Sequence, residues 1–242
     1  MTITTPRRFY TTELAPCPYL DGLQEQRVLT TLSGEDSEAA LSAFTEIGFR
    51  RSQTYLYRPS CPSCRRCVPV RIVADRFEAS RRFRKVLRRN ADLEWAIRPS
   101  VASEEQFELF HRYLSARHPD GSMTHMEWSD YRSMLEESPA CTMVIEFRYA
   151  DGRLAGVSLT DLLRNGLSGV YKFFDPAEPA RSLGTFVILW HVQEAVRRRL
   201  PYVYLGYWVE GSKTMDYKAQ FQPAERLGTR GWQPFETPSE RE

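Results

Sequence analysis

Three apolar, β-branched segments stand in a row at residues 142–149, 154–163 and 167–174, separated by Asp151-Gly152 and Asn165-Gly166. Such dipeptides supply the positive-φ residues of tight hairpin turns, so the three segments are expected to be antiparallel neighbours in one sheet. No other feature restricts the fold as much. A helical pattern at 185–199, a strand at 202–208 and a shorter helix at 212–220 follow. Upstream, 93–97 reads as a strand, 104–116 as a helix capped by Ser103 with Gln106 at capping-box spacing, and 127–137 as another helix.

Helix, helix, hairpin strands, helix, strand, helix is the order of an α+β fold of the acetyltransferase-like (acyl-CoA N-acyltransferase) type, a mixed sheet with flanking helices that splays apart around an acyl donor. Fold analogy of this kind assigns no substrate. The expected division is a cysteine-containing N-terminal region over 1–72, a basic connector over 73–92 and the catalytic domain over 93–242. Prolines punctuate the first region, and its one expected helix spans 37–47. Ala40, Leu41, Phe44 and Ile47 recur there at helical spacing, and Gly48 supplies the left-handed residue that ends it.

The basic connector is expected to be a helix over 75–90. It carries Arg76, Arg81, Arg82, Arg84, Lys85, Arg88 and Arg89, with Glu78 the only acid after Asp75. The apolar stripe of Phe77, Phe83 and Leu87 is partial, so much of the circumference stays cationic. A run of this kind is either a solvated face or a site for a polyanion. So little counter-charge favours a nucleic acid, bound through its phosphates. The overall formal net charge is only +2, so local rather than total charge carries this inference.

The N-terminus lacks the apolar core of a signal peptide, and no stretch approaches the roughly 18 to 20 apolar residues of a spanning helix. A cytoplasmic protein with no membrane partner is therefore expected. The five cysteines are then not expected to form disulfides, and their spacing points to metal, redox or packing roles. Cys61, Cys64 and Cys67 sit at two-residue intervals, and Cys17 could join them as a fourth thiolate. Four sulfurs suit zinc or an iron–sulfur cluster, whereas a closed zinc site usually shows paired C-x2-C units; reduced structural or redox-sensitive thiols are the other reading. Cys141 is expected in the core. His111, His118, His125 and His191 join no Cys or Ser in a motif, which leaves nucleophilic catalysis without support.

The most specific stretch is Leu167-Ser-Gly-Val-Tyr171-Lys-Phe-Phe-Asp175-Pro, continued by Arg181-Ser-Leu-Gly184-Thr, Tyr202-Val-Tyr204-Leu-Gly206-Tyr207-Trp208, Met215-Asp-Tyr217-Lys218 and Phe221-Gln-Pro223. With Cys17-Pro18-Tyr19-Leu20 and the Cys61 to Arg71 segment, it resembles the bacterial aspartate/glutamate leucyltransferases, relatives of the arginyl-tRNA–protein transferases. The resemblance covers nearly the whole chain. It departs near the end, where the family usually reads Lys-Met-x-Tyr-Lys and this chain has Thr214 in place of the first lysine. Lys213 next door would point about 100° away on a helix.

The resemblance implies transfer of an amino acid, leucine in the short bacterial members, from aminoacyl-tRNA to the N-terminal α-amine of proteins beginning with Asp or Glu. Such transfer marks them for N-degron degradation. Arginine as the donated residue, or a coenzyme A-dependent N-acetyltransferase, are the alternatives, and a non-enzymatic RNA-binding module is a third. Gly184 is the only glycine in the turn before the 185–199 helix, which argues against a coenzyme A pyrophosphate. That turn is either an anion site or an ordinary helix start. Transfer from an activated ester needs no cofactor. The acceptor amine loses its proton at pH 7 for only about 1 kcal/mol, so positioning and oxyanion stabilisation carry more of the rate. The eukaryotic relatives are associated with an iron–sulfur cluster, which the four cysteines Cys17, Cys61, Cys64 and Cys67 would hold.

Period-two alternation places Tyr202, Tyr204 and Trp208 on one strand face with Gly206, and Tyr207 on the other beside Val203 and Leu205. Tyr171, Asp175 and Tyr207 are the candidates for orienting the amine and relaying its proton. Arg181, Gly184, Tyr204, Tyr217 and Lys218 are the substrate-binding candidates, with Arg181 and Lys218 facing the acceptor carboxylate or the tRNA end. Arg81, Arg82, Arg84, Lys85, Arg88 and Arg89 are the candidates for holding tRNA.

Overall fold

The computed structural model describes residues 5–212 and 214–236; Lys213 lies outside them. Among the described residues fourteen strands and five α-helices follow one another as β1 (Phe9–Thr11), β2 (Ala15–Pro16), β3 (Gln24–Glu25), β4 (Arg27–Thr31), α1 (Ser37–Glu46), β5 (Arg50–Ser52), β6 (Tyr55–Pro59), β7 (Cys67–Val73), α2 (Arg81–Arg89), β8 (Glu94–Arg98), α3 (Glu104–Arg117), α4 (Trp128–Glu136), β9 (Thr142–Arg148), β10 (Leu154–Leu163), β11 (Gly166–Phe174), α5 (Leu183–Arg197), β12 (Tyr202–Val209), β13 (Ala224–Gly228) and β14 (Gly231–Pro234).

The meander expected from the two turn dipeptides is present as β9-β10-β11, antiparallel throughout. It extends into an eight-stranded sheet in the order β14-β13-β7-β12-β11-β10-β9-β8. β11 and β12 are its only parallel pair among the described residues, and α5 makes the crossover that parallel strands require. Three-layer packing follows. Phe186, Val187, Trp190 and Val203 close one core beneath α5. On the opposite face α3 and α4 bring Phe110, Leu114, Tyr131 and Leu135 against Val144, Val157 and Phe173. The capping box at Ser103 and Gln106 is formed on both sides. No helix among the described residues is long and apolar enough to cross a membrane. The architecture is the α+β acetyltransferase-like mixed sheet expected above.

Four expectations of local structure need correction. The helix expected over 75–90 is a 3-10 turn at Ala74–Arg76 followed by α2, because Phe77 takes an extended backbone and Ser80 caps a new start by accepting from the Phe83 N–H. The helix expected over 212–220 is only a 3-10 turn at Asp216–Gln220. Cys141 is exposed, one residue ahead of β9. The irregular N-terminal region holds a four-stranded sheet, β1-β4-β6-β5, packed with α1, whose residues were too short and polar to announce strands. Gly48 ends α1 at φ +89°, as its position suggested; a Cβ there would also meet Pro69 and Leu227 at 2.9 Å. The strand at 67–73 pairs with β12 and β13, so residue 72 does not mark a boundary between sheets.

Candidate active site

β11 and β12 run side by side only from Gly166–Tyr202 to Ser168–Tyr204. Immediately beyond, each carries an extra residue relative to its other neighbour. Val170 is the unmatched residue of β11 against Leu159 and Thr160 of β10. Leu205 is that of β12 against Arg71 and Val70 of β7. A bulge bends its strand and raises the local twist, and two bulges at the same level turn the strands away from each other. The result is a cleft inside the sheet. Gly169, Val170, Tyr171 and Lys172 keep accessible surface there, although Leu167, Ser168 and Phe173 of the same strand are buried.

The bulge also reverses the expected face assignment. One inserted residue flips every side chain after it. Tyr202 and Tyr204 pack toward the N-terminal sheet, and Tyr207 points the same way instead of the opposite way, its phenol donating to the carbonyls of Gly48 at 2.8 Å and Tyr57 at 3.3 Å. Trp208 joins Val70, Ala224 and Phe235 instead, with its indole N–H on Asp216.

At the apex of the cleft lies Arg50 of β5. It donates to the Ser168 hydroxyl at 2.9 Å and to the Gly169 carbonyl. Gly206, at φ +79°, leaves room for it, since a Cβ there would stand 3.1 Å from the Arg50 Nε. Arg51, the next residue, forms a buried bidentate pair with Asp161 of β10 at 2.8 and 2.7 Å. Two consecutive arginines thus fasten the N-terminal sheet to β11 and its neighbour β10.

Lys172 stands opposite Ser158 in the β10–β11 register. Behind it, the buried His191 of α5 shares hydrogen bonds with Thr160 at 2.8 Å and Ser158 at 3.2 Å. Burial first, and then the charge of Lys172, push the His191 pKa down to about 3, so the imidazole is neutral. Burial alone brings Lys172 down to about 8, even though its side chain keeps some contact with solvent. Its ammonium lies 5.7 Å from the centre of the Tyr217 ring. Lys218 is buried and donates to the Tyr207 carbonyl at 2.6 Å. Desolvation, helped by Arg50 and Lys172, holds its pKa well below the ordinary lysine value. Among the described residues no carboxylate pairs with Arg50, Lys172 or Lys218.

Several side chains singled out from the sequence are directed elsewhere. Tyr171 points across the sheet toward Phe110 and Tyr113 of α3, with its phenol pKa raised by burial. Tyr113 lies near enough to both Tyr171 and Tyr217 to disfavour their ionising together, which brings Tyr171 and Tyr217 to the same region. Asp175 follows the end of β11 and accepts from the Tyr149 phenol and the Ala177 N–H. Arg181 is engaged by Asp92 through two bonds of 2.8 and 2.9 Å. Gly184 lets the Phe174 ring close on the start of α5, where a Cβ would meet it at 2.9 Å. Tyr204 is held between Asn165 and Arg71, and Arg71 is itself sandwiched by Tyr202 at 3.5 Å and Trp232 at 4.3 Å.

Arg81, Arg82, Arg84, Lys85, Arg88 and Arg89 are all exposed on α2, while Phe83 and Val86 are buried. Phe83 stacks between Phe77 and Phe221, so it serves packing and leaves the cations on the surface. Cys17, Cys61, Cys64 and Cys67 converge on a pocket with Tyr19, Arg27, Tyr57 and Tyr207. All four are free thiols, and burial followed by the neighbouring sulfurs pushes Cys67 up to about 12. Among the described residues no group of three His, Cys, Asp or Glu is placed to hold a metal ion. The geometry therefore does not fit a zinc or iron–sulfur site, and no chemistry is assigned to one.

A split mixed sheet whose opening carries Arg50, Lys172 and the Tyr217 ring has the architecture of the acetyltransferase-like class. Family comparison is more specific. Residues 15–85 match the model of the arginine-tRNA-protein transferase N terminus, and residues 105–228 that of its C terminus. The chain is 48% identical over 230 residues to the aspartate/glutamate leucyltransferase of Paramagnetospirillum magneticum, covering 95% of this chain and 94% of that protein. It is 50% identical over 237 residues to the protein of the same name from Bradyrhizobium sp., covering 94% and 92%. The chain belongs to the arginine-tRNA-protein transferase family. Among solved structures it is similar to the C-terminal domain of a putative lysylphosphatidylglycerol synthetase from Agrobacterium fabrum, with a TM-score of 0.43, 13% identity, and coverage of 71% of this chain and 52% of that one.

Lys172 lies within the motif singled out from the sequence but is not among the site residues expected from it. A lysine among aromatic residues in a central strand was the available signal. Arg50 and His191 gave none, because their roles come from segments far apart in the chain.

Proposed function

We propose that the chain transfers leucine from leucyl-tRNA to the N-terminal α-amine of cytoplasmic proteins that begin with Asp or Glu, marking them for N-degron degradation. The observation that carries this reading is the accessible stretch Gly169 to Lys172, with the Lys172 ammonium at its end, in the interior of an eight-stranded sheet. The names of the relatives above support leucine as the donated residue. In this reading the tRNA lies against the arginines of α2 and its aminoacyl end enters between β11 and β12.

The free amine attacks the ester carbonyl, the C–N bond forms, and the ribose oxygen leaves with a proton ultimately supplied by the amine. An ester is already activated, so holding amine and carbonyl in contact supplies most of what the reaction needs. Incubation of the protein with leucyl-tRNA or arginyl-tRNA and peptides beginning with Asp, Glu or Ala tests the reading by mass spectrometry. One leucine is expected on the Asp and Glu peptides. Arginine addition would reassign the donor, and no addition to any peptide would remove the proposal.

A further inference from the structure

We infer that Lys172 selects the acceptor, its ammonium pairing with the side-chain carboxylate of the acceptor's first residue. The inference rests on the transfer reaction proposed above and specifies how that reaction distinguishes acidic N-termini.

The cations near the cleft divide by what already occupies them. Arg50 is engaged by Ser168 and Gly169, Arg51 by Asp161, and Arg181 by Asp92. Lys218 is directed onto the Tyr207 carbonyl. Arg71 pairs with Glu225 between two aromatic rings. Lys172 alone in this group has neither a hydrogen-bond nor an ion-pair partner among the described residues, and it is not sealed from solvent.

Its position is also built. The bulge at Val170 sets Lys172 on the Ser158 and His191 side of β11, at the mouth of the divergence from β12. The Tyr217 ring steadies the ammonium from the 216–220 turn. His191 is neutral and Lys218 adds positive potential, while Glu194 of α5 is taken by Arg197 and Arg198 and Asp216 of the turn by the Trp208 indole, so among the described residues no carboxylate pairs with Lys172. A hemmed-in cation without a partner is costly, and an incoming carboxylate relieves the cost where an amide of the same shape cannot. Burial that lowers the lysine's proton affinity in the free protein is the same physics seen without the ligand.

The test measures kcat/KM at saturating leucyl-tRNA for peptides beginning with Asp, Glu and Asn, using the wild type, Lys172→Met and Lys172→Arg. The ratio of Asp to Asn is expected to fall on the order of thirtyfold or more in Lys172→Met, mainly through KM for Asp, and to be largely kept in Lys172→Arg. Filter binding of leucyl-tRNA to Lys172→Met is expected to match the wild type. An unchanged ratio, equal loss for all three peptides, or loss of leucyl-tRNA binding by Lys172→Met overturns the assignment. A wild-type protein that modifies none of the peptides removes the reaction itself, a result distinct from an active wild type with an unaltered variant ratio.

Discussion

Lys218 donates a 2.6 Å hydrogen bond to the backbone carbonyl of Tyr207, whose phenol in turn reaches the carbonyl of Gly48 at 2.8 Å. One tyrosine thereby joins the 216–220 turn, β12 and the N-terminal sheet. Its hydroxyl is directed away from the cleft and toward the cysteine-lined pocket. Tyr207→Phe is expected to lower stability by about 1–3 kcal/mol, because the Gly48 carbonyl loses its donor in a buried place. Urea denaturation measures this directly. Unchanged stability with abolished transfer would instead put the phenol in the chemistry.

The pair of Arg51 and Asp161, exposed by 1% and 0% of their side chains, makes a sharper prediction. Removing either partner alone strands a buried charge, and Arg51→Met is expected to cost about 3–5 kcal/mol. Arg51→Met combined with Asp161→Leu should cost clearly less than the sum of the two single changes. Additive losses in a double-mutant cycle would show that the two residues act independently.

His191 ties stability to pH. Its pKa falls from the ordinary 6.5 to about 3 on folding, so the unfolded chain binds the extra proton more readily. The contribution is fully present above pH 6.5 and is lost as pH falls from 6.5 toward 3, with a limiting slope of about 1.4 kcal/mol per pH unit. Denaturation at pH 7, 6 and 5 should show this decline in the wild type and a shallower one in His191→Gln. Parallel curves would contradict the assignment.

On α2, Arg81, Lys85 and Arg88 make no hydrogen bond or ion pair among the described residues and are exposed. If they contact phosphates, tRNA affinity should fall steeply with salt. Lys85→Ala with Arg88→Ala should then reduce the slope of log K against log salt by roughly 1.5–2. A slope unchanged by both substitutions would make the helix an ordinary solvated face.

What could be read from the chain follows the range of the interactions involved. Asp151-Gly152 and Asn165-Gly166 act over two residues, and Ser103 with Gln106 over one turn, so the meander and α3 were legible. The cleft depends on Val170 and Leu205 being unmatched against neighbours that the chain reaches only through tertiary pairing. That bulge at Leu205 carried Tyr207 to the other face and defeated a period-two reading that holds through Tyr204. Arg50 meets Ser168 across 118 positions, a separation at which neither spacing nor composition speaks. The basic surface of α2 was visible because charge needs no partner to be counted, whereas the absence of one around Lys172 could be seen only once its neighbours were placed.

The account turns on the opening between β11 and β12 as the place where the aminoacyl end is held. Hydrogen exchange with a tRNA carrying leucine through a non-hydrolysable 3′ amide tests this most directly. Slowed exchange is expected in Gly166–Phe174, Tyr202–Val209 and the 216–220 turn, over that caused by uncharged tRNA. Extra protection confined to the cysteine-lined pocket, or none beyond α2, would contradict it.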